Sequence, residues 1–259
     1  MSGLSICIIA CNEAVRLPKT LAAIDGLGDE LLLIDSGSTD GTQKIAEDAG
    51  ARVIHSDWFG HAWQKAVATE HCQDDWVLML DADEALSPEL FQAIKRLKQS
   101  NFGRHSAYRM QWRLAFPHEA RAGRLRNQGK LIRLWDRHHA FIEKQVDSND
   151  DRPKVVLGSV GLLPGYVLHT TLISLSHIEG KYHQLTDEQA RHNVARGKTY
   201  PLWRLYLEWP IKMVKYLFLR KHILYGWYGW ALSAVAAHRN FMKIAKTIEL
   251  TKTKQRSKA

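Results

Sequence analysis

The sequence predicts an α/β protein: a doubly wound, mostly parallel sheet followed by a helical C-terminal extension. Three observations predict it. Short apolar runs alternate with helix-length segments over the first hundred residues, the pattern of repeated βαβ units. Four successive runs stop at polar, largely acidic residues, as strand ends do when they line a ligand crevice. From Ser174 onward the periodicity turns helical and stays so.

Each element has its own signal. Leu4 to Ala10 is continuously apolar, as expected of a strand buried on both faces. Asn12 and Glu13 end it, and Pro18 starts a short helix reaching Ile24. Glu30 to Ile34 reads as the second strand, stopping at Asp35-Ser-Gly-Ser-Thr-Asp-Gly. Thr42 to Ala49 is helical, with Gly50 as its stop. Ala51 to His55 is a third strand, Ala62 to His71 a helix and Trp76 to Leu80 a fourth strand. Ser87-Pro-Glu-Leu opens a capped helix to about Lys98. Beyond it, Ser106 to Phe116, Lys130 to Trp135, Lys154 to Leu157 and Gly165 to Thr171 read as strands of a mixed sheet. The expected boundaries are 1–172 for the catalytic part, divided at 98/99 into a binding half and an acceptor-side half, and 173–259 for the helical part.

The 259 residues are 45% hydrophobic, enough for one sizeable domain and an appendage. The formal charge of +9 is unevenly placed. Arg196 to Ala259 holds 14 Lys and Arg against 2 Asp and Glu, whereas the remainder holds 22 against 25. A basic tail of this kind points to an anionic partner, a membrane surface or nucleic acid. Cys7, Cys11 and Cys72 match no disulfide framework and no zinc pattern. The N-terminus lacks a basic and an apolar signal region, so the cytoplasm is the expected compartment.

Asp81-Ala82-Asp83 carries the strongest chemistry. Two carboxylates two apart at the end of a buried strand can reach one hard cation and the diphosphate it neutralises; alternatively they are solvated acids before the next helix. Asp35 precedes a turn rich in small donor residues, where it can accept a hydrogen bond from an imide or a ribose. Asp40 or Thr39 fits the bland reading of a capped turn. Neither a Rossmann glycine fingerprint nor a Walker loop is present. His169, ending a strand, is either a late metal ligand or a core or surface histidine. Arg121, Arg124 and Arg126 either clamp acidic groups of an acceptor or form a solvated basic loop.

The ordered set Ile8-Ile-Ala-Cys-Asn-Glu, Leu33-Ile-Asp-Ser-Gly-Ser-Thr-Asp-Gly-Thr, Trp63-Gln-Lys and Trp76-Val-Leu-Met-Leu-Asp-Ala-Asp-Glu resembles family 2 glycosyltransferases of the GT-A fold. The branch it resembles most builds the inner core of bacterial lipopolysaccharide or lipooligosaccharide, the β-1,4-glucosyltransferases. The resemblance covers residues 4–98 with high specificity and continues more loosely to the C-terminal helices. It implies an inverting, non-processive transfer of a hexose, glucose from UDP-glucose, to an inner-core sugar in the heptose or Kdo region. Ala10, Asn12, Glu13 and Asp35 would hold the uridine, with Asp35 on the uracil imide. Lys65 would reach the base or diphosphate, and Asp81 the ribose or donor sugar. Asp83, with His169 as a further candidate, would bind Mg2+ or Mn2+.

An inverting transfer needs a carboxylate to take the acceptor proton. Relatives commonly place a Val-His-Glu triplet after the Arg-Leu-Trp strand. Here the stretch reads Gln145-Val146-Asp147-Ser148, so the Glu position holds Ser148. Asp147 is the substitute base, Glu143 is the alternative, and an ordinary loop acid is the competing reading of Asp147.

In the tail, Trp203, Trp209, Trp227 and Trp230 stand among tyrosines and cations, and charged residues keep every apolar stretch short of the roughly 20 residues a span requires. Such a mixture fits a helix lying in the interface of an anionic membrane, at its cytoplasmic face, within reach of a lipid-linked saccharide acceptor; a helical lid has the same composition. The runner-up within glycosyl transfer is a polyprenyl-phosphate sugar transferase. A nucleic-acid-binding module is the alternative from another class, and acids at four strand ends argue against it.

Overall fold

The computed structural model describes residues 2–115, 127–146, 151–170 and 174–256. Close contacts divide the chain into two units, 1–171 and 172–259.

The first unit is built on an eight-stranded sheet with the order β3-β2-β1-β4-β7-β6-β10-β5. Its parallel half comprises β1 (Leu4–Ala10), β2 (Glu30–Asp35), β3 (Arg52–His55) and β4 (Trp76–Asp81). All seven residues of β1 are buried, because helices cover both faces of a doubly wound sheet. α1 (Leu17–Ala22), α2 (Thr42–Asp48), α3 (His61–His71) and α4 (Pro88–Gln99) connect these strands or follow them. Ser87 caps α4 by accepting from the Leu90 amide at 3.2 Å, ahead of Pro88.

The second half of the sheet is mixed. β6 (Ala107–Leu114) and β7 (Asn127–Asp136) run antiparallel, β7 also lies antiparallel to β4, and β10 (Val160–His169) runs parallel to β6. β8 (Ala140–Phe141) and β9 (Lys154–Val155) form a separate two-stranded ladder. Two strands escape the sequence reading: β8, only two residues long, and β5 (Glu84–Leu86), which pairs antiparallel with the end of β10. Three residues opening on a glutamate carry too little alternation to register as a strand. β10 is longer than read because Pro164 and Gly165 interrupt its pattern; its register with β6 shifts between Leu162 and Tyr166. Gly165 has φ +87° there, and a Cβ would lie 2.5 Å from the Leu90 backbone nitrogen, so only glycine lets α4 approach.

Apolar cores lie on both faces of the sheet. Ile6, Ile8, Leu78, Leu80 and Leu134 pack on one side, and Cys7, Ile9, Ile34, Met79 and Trp135 on the other. The Cys7 and Cys72 thiols meet at 2.8 Å inside the second core, where burial pushes the Cys7 thiol up.

The second unit is helical: α5 (Leu175–Ala195), α6 (Trp203–Val214) and α7 (Gly226–Arg256). A five-residue π turn, Lys215–Leu219, extends α6, and a 3-10 turn, His222–Tyr225, leads into α7. Pro210 removes one amide donor within α6. Among the described residues, no helix is long and apolar enough to cross a membrane.

Candidate active site

The C-terminal ends of β1, β2 and β4 meet on one rim, because parallel strands end on the same side of a sheet. The first two loops are stitched together. Asn12, with φ +56°, donates its amide to Ser38 Oγ (2.9 Å) and accepts from the Thr39 amide (2.9 Å). The Glu13 amide donates to Thr42 Oγ1 (2.8 Å), and the Ala10 carbonyl accepts from the Ser36 amide (3.0 Å). Asp40 accepts from the amides of Ala14 and Thr42 at 3.0 Å each, so it ties the two loops just ahead of Gly41, which occupies the N-cap of α2.

Asp35 is fully buried. Its Oδ2 accepts from the Gly37 and Ser38 amides (2.9 Å each) and from Gln43 Nε2 (2.6 Å), whereas Oδ1 has no hydrogen-bond partner. Burial alone would raise this carboxyl; the donors from Ser38, Gln43 and Gly37 outweigh it and hold Asp35 below the usual carboxylate range.

Behind the rim lies a buried ion cluster. Lys65, on α3, is fully buried and forms ion pairs with Asp81 (2.8 Å) and Asp151. The Asp81 contact is close but poorly aligned as a hydrogen bond, since Asp81 Oδ1 has no well-directed donor. Arg133, on β7, reaches Glu84 (2.8 Å), Asp81 (3.1 Å) and Asp151 (3.5 Å). Glu84 also accepts from the Asp81 amide (3.0 Å) and from Trp112 Nε1 (2.7 Å). Three carboxylates thus share two cations. Burial would raise Asp81, but Lys65 and Arg133 hold it far below the ordinary value. Burial would likewise lower Arg133, and Glu84, Asp81 and Asp151 instead push it up.

Asp83 stands forward of this cluster. Its Oδ2 lies 3.3 Å from Arg16 Nη1 and 3.3 Å from His169 Nε2, and Arg16 in turn grips Glu13. The partnership with His169 is a product of β5: the antiparallel register sets His169 opposite Glu84, and the Thr170 amide donates to the Asp83 carbonyl at 2.8 Å. Trp112, its ring centroid 4.3 Å from that of His169, backs the imidazole. Two donor atoms 3.3 Å apart suit adjacent ligands on one cation with bonds of about 2.1–2.2 Å. Among the described residues, no group of three or more His, Cys, Asp and Glu is arranged to hold a metal. Asp83 and His169 therefore fit a divalent cation as two ligands of a shell completed by other oxygens.

Of the residues singled out from sequence, Ala10, Asn12, Glu13, Asp35, Lys65, Asp81, Asp83 and His169 all belong to the rim or to the cluster behind it. Glu143 is exposed and engaged by Lys154 and Gln145, with Lys154 drawing its carboxyl below the usual range. Asp147, Ser148, Arg121, Arg124 and Arg126 lie outside the described residues. Sequence reasoning missed Arg16, Glu84, Arg133 and Asp151. Arg133 had a signal, since it is the one charge between Leu131-Ile132 and Leu134-Trp135 and such a residue needs a partner. Asp151, remote in sequence from Lys65, had none.

A family model, glycosyl transferase family 2, matches residues 5–148, more than half of the chain. An uncharacterized glycosyltransferase of Rickettsia typhi is 31% identical over 258 residues, covering 97% of this chain and 88% of that protein. The lipopolysaccharide core biosynthesis glycosyltransferase LpsC of Rhizobium meliloti is 37% identical over 99 residues, 36% of either chain. Glucosyl-3-phosphoglycerate synthase of Mycobacterium tuberculosis, solved with Mn2+, uridine-diphosphate and phosphoglyceric acid, is similar at 17% identity and a TM-score of 0.43, over 68% of this chain and 73% of that one. The sheet and its rim belong to a glycosyltransferase domain. The chain belongs to glycosyl transferase family 2.

Proposed function

We propose that the enzyme moves a hexose, glucose from UDP-glucose, onto an inner-core sugar of a lipid-linked lipopolysaccharide or lipooligosaccharide acceptor, with inversion and one residue at a time. The observation that carries the donor half is the rim itself, where Asp35, Asp83 and His169 converge at the C-terminal ends of the strands. The free oxygen of Asp35 is a buried acceptor with an unmet hydrogen bond, which the uracil imide N–H would satisfy. Asn12, Glu13 and the Ala10 backbone shape the uridine pocket, and Asp81, aimed by Lys65 and Arg133, contacts the ribose or donor sugar. Lys65 adds positive charge close to the diphosphate. Mg2+ or Mn2+ held by Asp83 and His169 would offset the charge that builds on the departing diphosphate. The likeness to LpsC supports the lipopolysaccharide acceptor.

The acceptor proton goes to Asp147 in this reading. Asp147→Asn should lower turnover by about 10² to 10⁴ with donor affinity nearly unchanged. Glu143→Gln should be mild, because that carboxylate is exposed and committed to Lys154. Steady-state kinetics of the two variants check the assignment, and the reverse ranking would move the base to Glu143.

The second unit supports action at a membrane surface. Of 22 large hydrophobic residues exposed among the described residues, 13 fall between Leu202 and Trp230, including Trp203, Trp209, Phe218, Leu219 and Trp227. So dense an apolar surface marks an interaction site. Lys212, Lys215, Arg220 and Lys221 are interspersed with it, and each cation near an anionic bilayer contributes about 1 kcal/mol. Replacing Trp203, Phe218 and Leu219 together with serine should leave the fold intact and cut binding to phosphatidylglycerol-containing vesicles at least tenfold. Removing 247–259 should weaken it mainly at low salt. Co-sedimentation reads both effects; a full-length protein that ignores anionic vesicles at low salt contradicts the membrane reading.

A further inference from the structure

Beside the ion cluster, β6, β7 and the segment before β9 enclose a cleft of about 540 Å3. Five cations line it: Arg109, Lys130, Arg133, Arg152 and Lys154. Among the described residues two carboxylates join them, and both are committed, Glu143 to Lys154 and Asp151 to Lys65 and Arg133. Arg109 and Lys130 are exposed, and no hydrogen bond or ion pair involves either side chain among the described residues. The β6–β7 register, Arg109 opposite Ile132 and Gln111 opposite Lys130, puts them on the same face of the ladder as diagonal neighbours. Like charges so placed repel unless an anion sits between them, and a cleft concentrates their field.

The cleft touches the reacting rim through shared walls, since Arg133 and Asp151 belong to it and also hold Asp81 and Lys65. The donor reading places the nucleotide at the ends of β1, β2 and β4, whereas Arg109 and Lys130 stand on β6 and β7. A guanidinium grips a phosphate or carboxylate through two parallel hydrogen bonds, and an ammonium adds a point charge. We propose that this cleft is the acceptor subsite and that Arg109 and Lys130 select a saccharide bearing a phosphate or carboxylate group. The inference rests on the donor assignment above and adds the acceptor's charge class to it.

The test uses the full-length protein with Mn2+ and three probes, UDP, mannose 6-phosphate and mannose, followed by ligand-detected NMR. Mannose 6-phosphate should bind and mannose should not, and saturating UDP should leave the sugar phosphate bound. Arg109→Ala combined with Lys130→Ala should weaken the sugar phosphate at least tenfold, change UDP affinity less than twofold and leave the melting temperature unchanged. Displacement of the sugar phosphate by UDP would make the cleft part of the donor site. Binding that survives the double substitution, or no binding beside normal UDP binding, overturns the proposal while the donor reading stands. Wild-type protein that fails to bind UDP removes the donor reading and the acceptor role with it.

Discussion

Asp83→Asn should lower glycosyl transfer by about 10² to 10³ or more, with the fold retained. The substitution keeps the size of the side chain and removes the charge that a divalent cation needs. Asparagine keeps an oxygen to accept from Arg16 and His169, and Arg16 keeps Glu13, so the stability cost should stay modest although the Asp83 side chain is only 11% exposed. EDTA should reproduce the effect on wild type, and added Mn2+ or Mg2+ should reverse it in wild type but not in the variant. His169→Ala should fall between the two, because imidazole is the lesser ligand for these ions. If Asp83 served only to anchor Arg16 and His169, the variant would lose thermal stability and wild type would be indifferent to EDTA. Turnover under chelation, read beside the melting temperature, separates the two cases.

Arg133→Met should lower the free energy of unfolding by about 3–5 kcal/mol, the usual cost of breaking a buried ion pair from one side. The guanidinium is buried and lies within 3.5 Å of Asp81, Glu84 and Asp151. Its removal leaves Asp81 and Asp151 to Lys65 and, among the described residues, leaves Glu84 with no cation, only the Asp81 amide and Trp112 Nε1. The cluster also sets the acid limit of the protein. Asp81, Asp151 and Asp35 are held below their unfolded values, near 3.9 for Asp, so their contribution is complete above that pH. It is lost as pH falls through the lower folded values. Urea titrations from pH 7 down to pH 3 should show wild-type stability dropping most steeply below about pH 4. Arg133→Met should start lower and lose less over the same range, because the depression of Asp81 and Asp151 depends partly on the missing cation. Equal stability of the two proteins at pH 7 would mean that the cluster carries no structural weight.

The parallel half of the fold was legible because burial on both faces writes itself as unbroken apolar runs: Leu4 to Ala10 and Trp76 to Leu80 stand in the structure where the sequence placed them. Asp35, Asp81 and Asp83 were legible as acids at strand ends. What stayed hidden was pairing between distant segments. β5 is three residues long and acquires its identity only from β10, yet it brings His169 to Asp83. Lys65 was expected, from the family resemblance, to reach the base or diphosphate; its burial against Asp81 and Asp151 follows from a contact spanning 86 residues. Arg16 sits three residues beyond Glu13 but 67 before Asp83, and only the folded rim joins all three. The exposed apolar surface between Leu202 and Trp230 was visible as composition, while its exposure needed the helices in place.

The central claim is that this rim binds a UDP-sugar and releases UDP to an anionic, lipid-linked acceptor. It is tested most directly by incubating the full-length protein with UDP-glucose, UDP-galactose and UDP-N-acetylglucosamine in turn, with Mn2+ and a deacylated lipooligosaccharide inner core, and measuring UDP release. UDP-glucose should give acceptor-dependent release that EDTA abolishes and that Asp83→Asn reduces at least a hundredfold. No release from any donor, or release indifferent to both EDTA and Asp83→Asn, would contradict it.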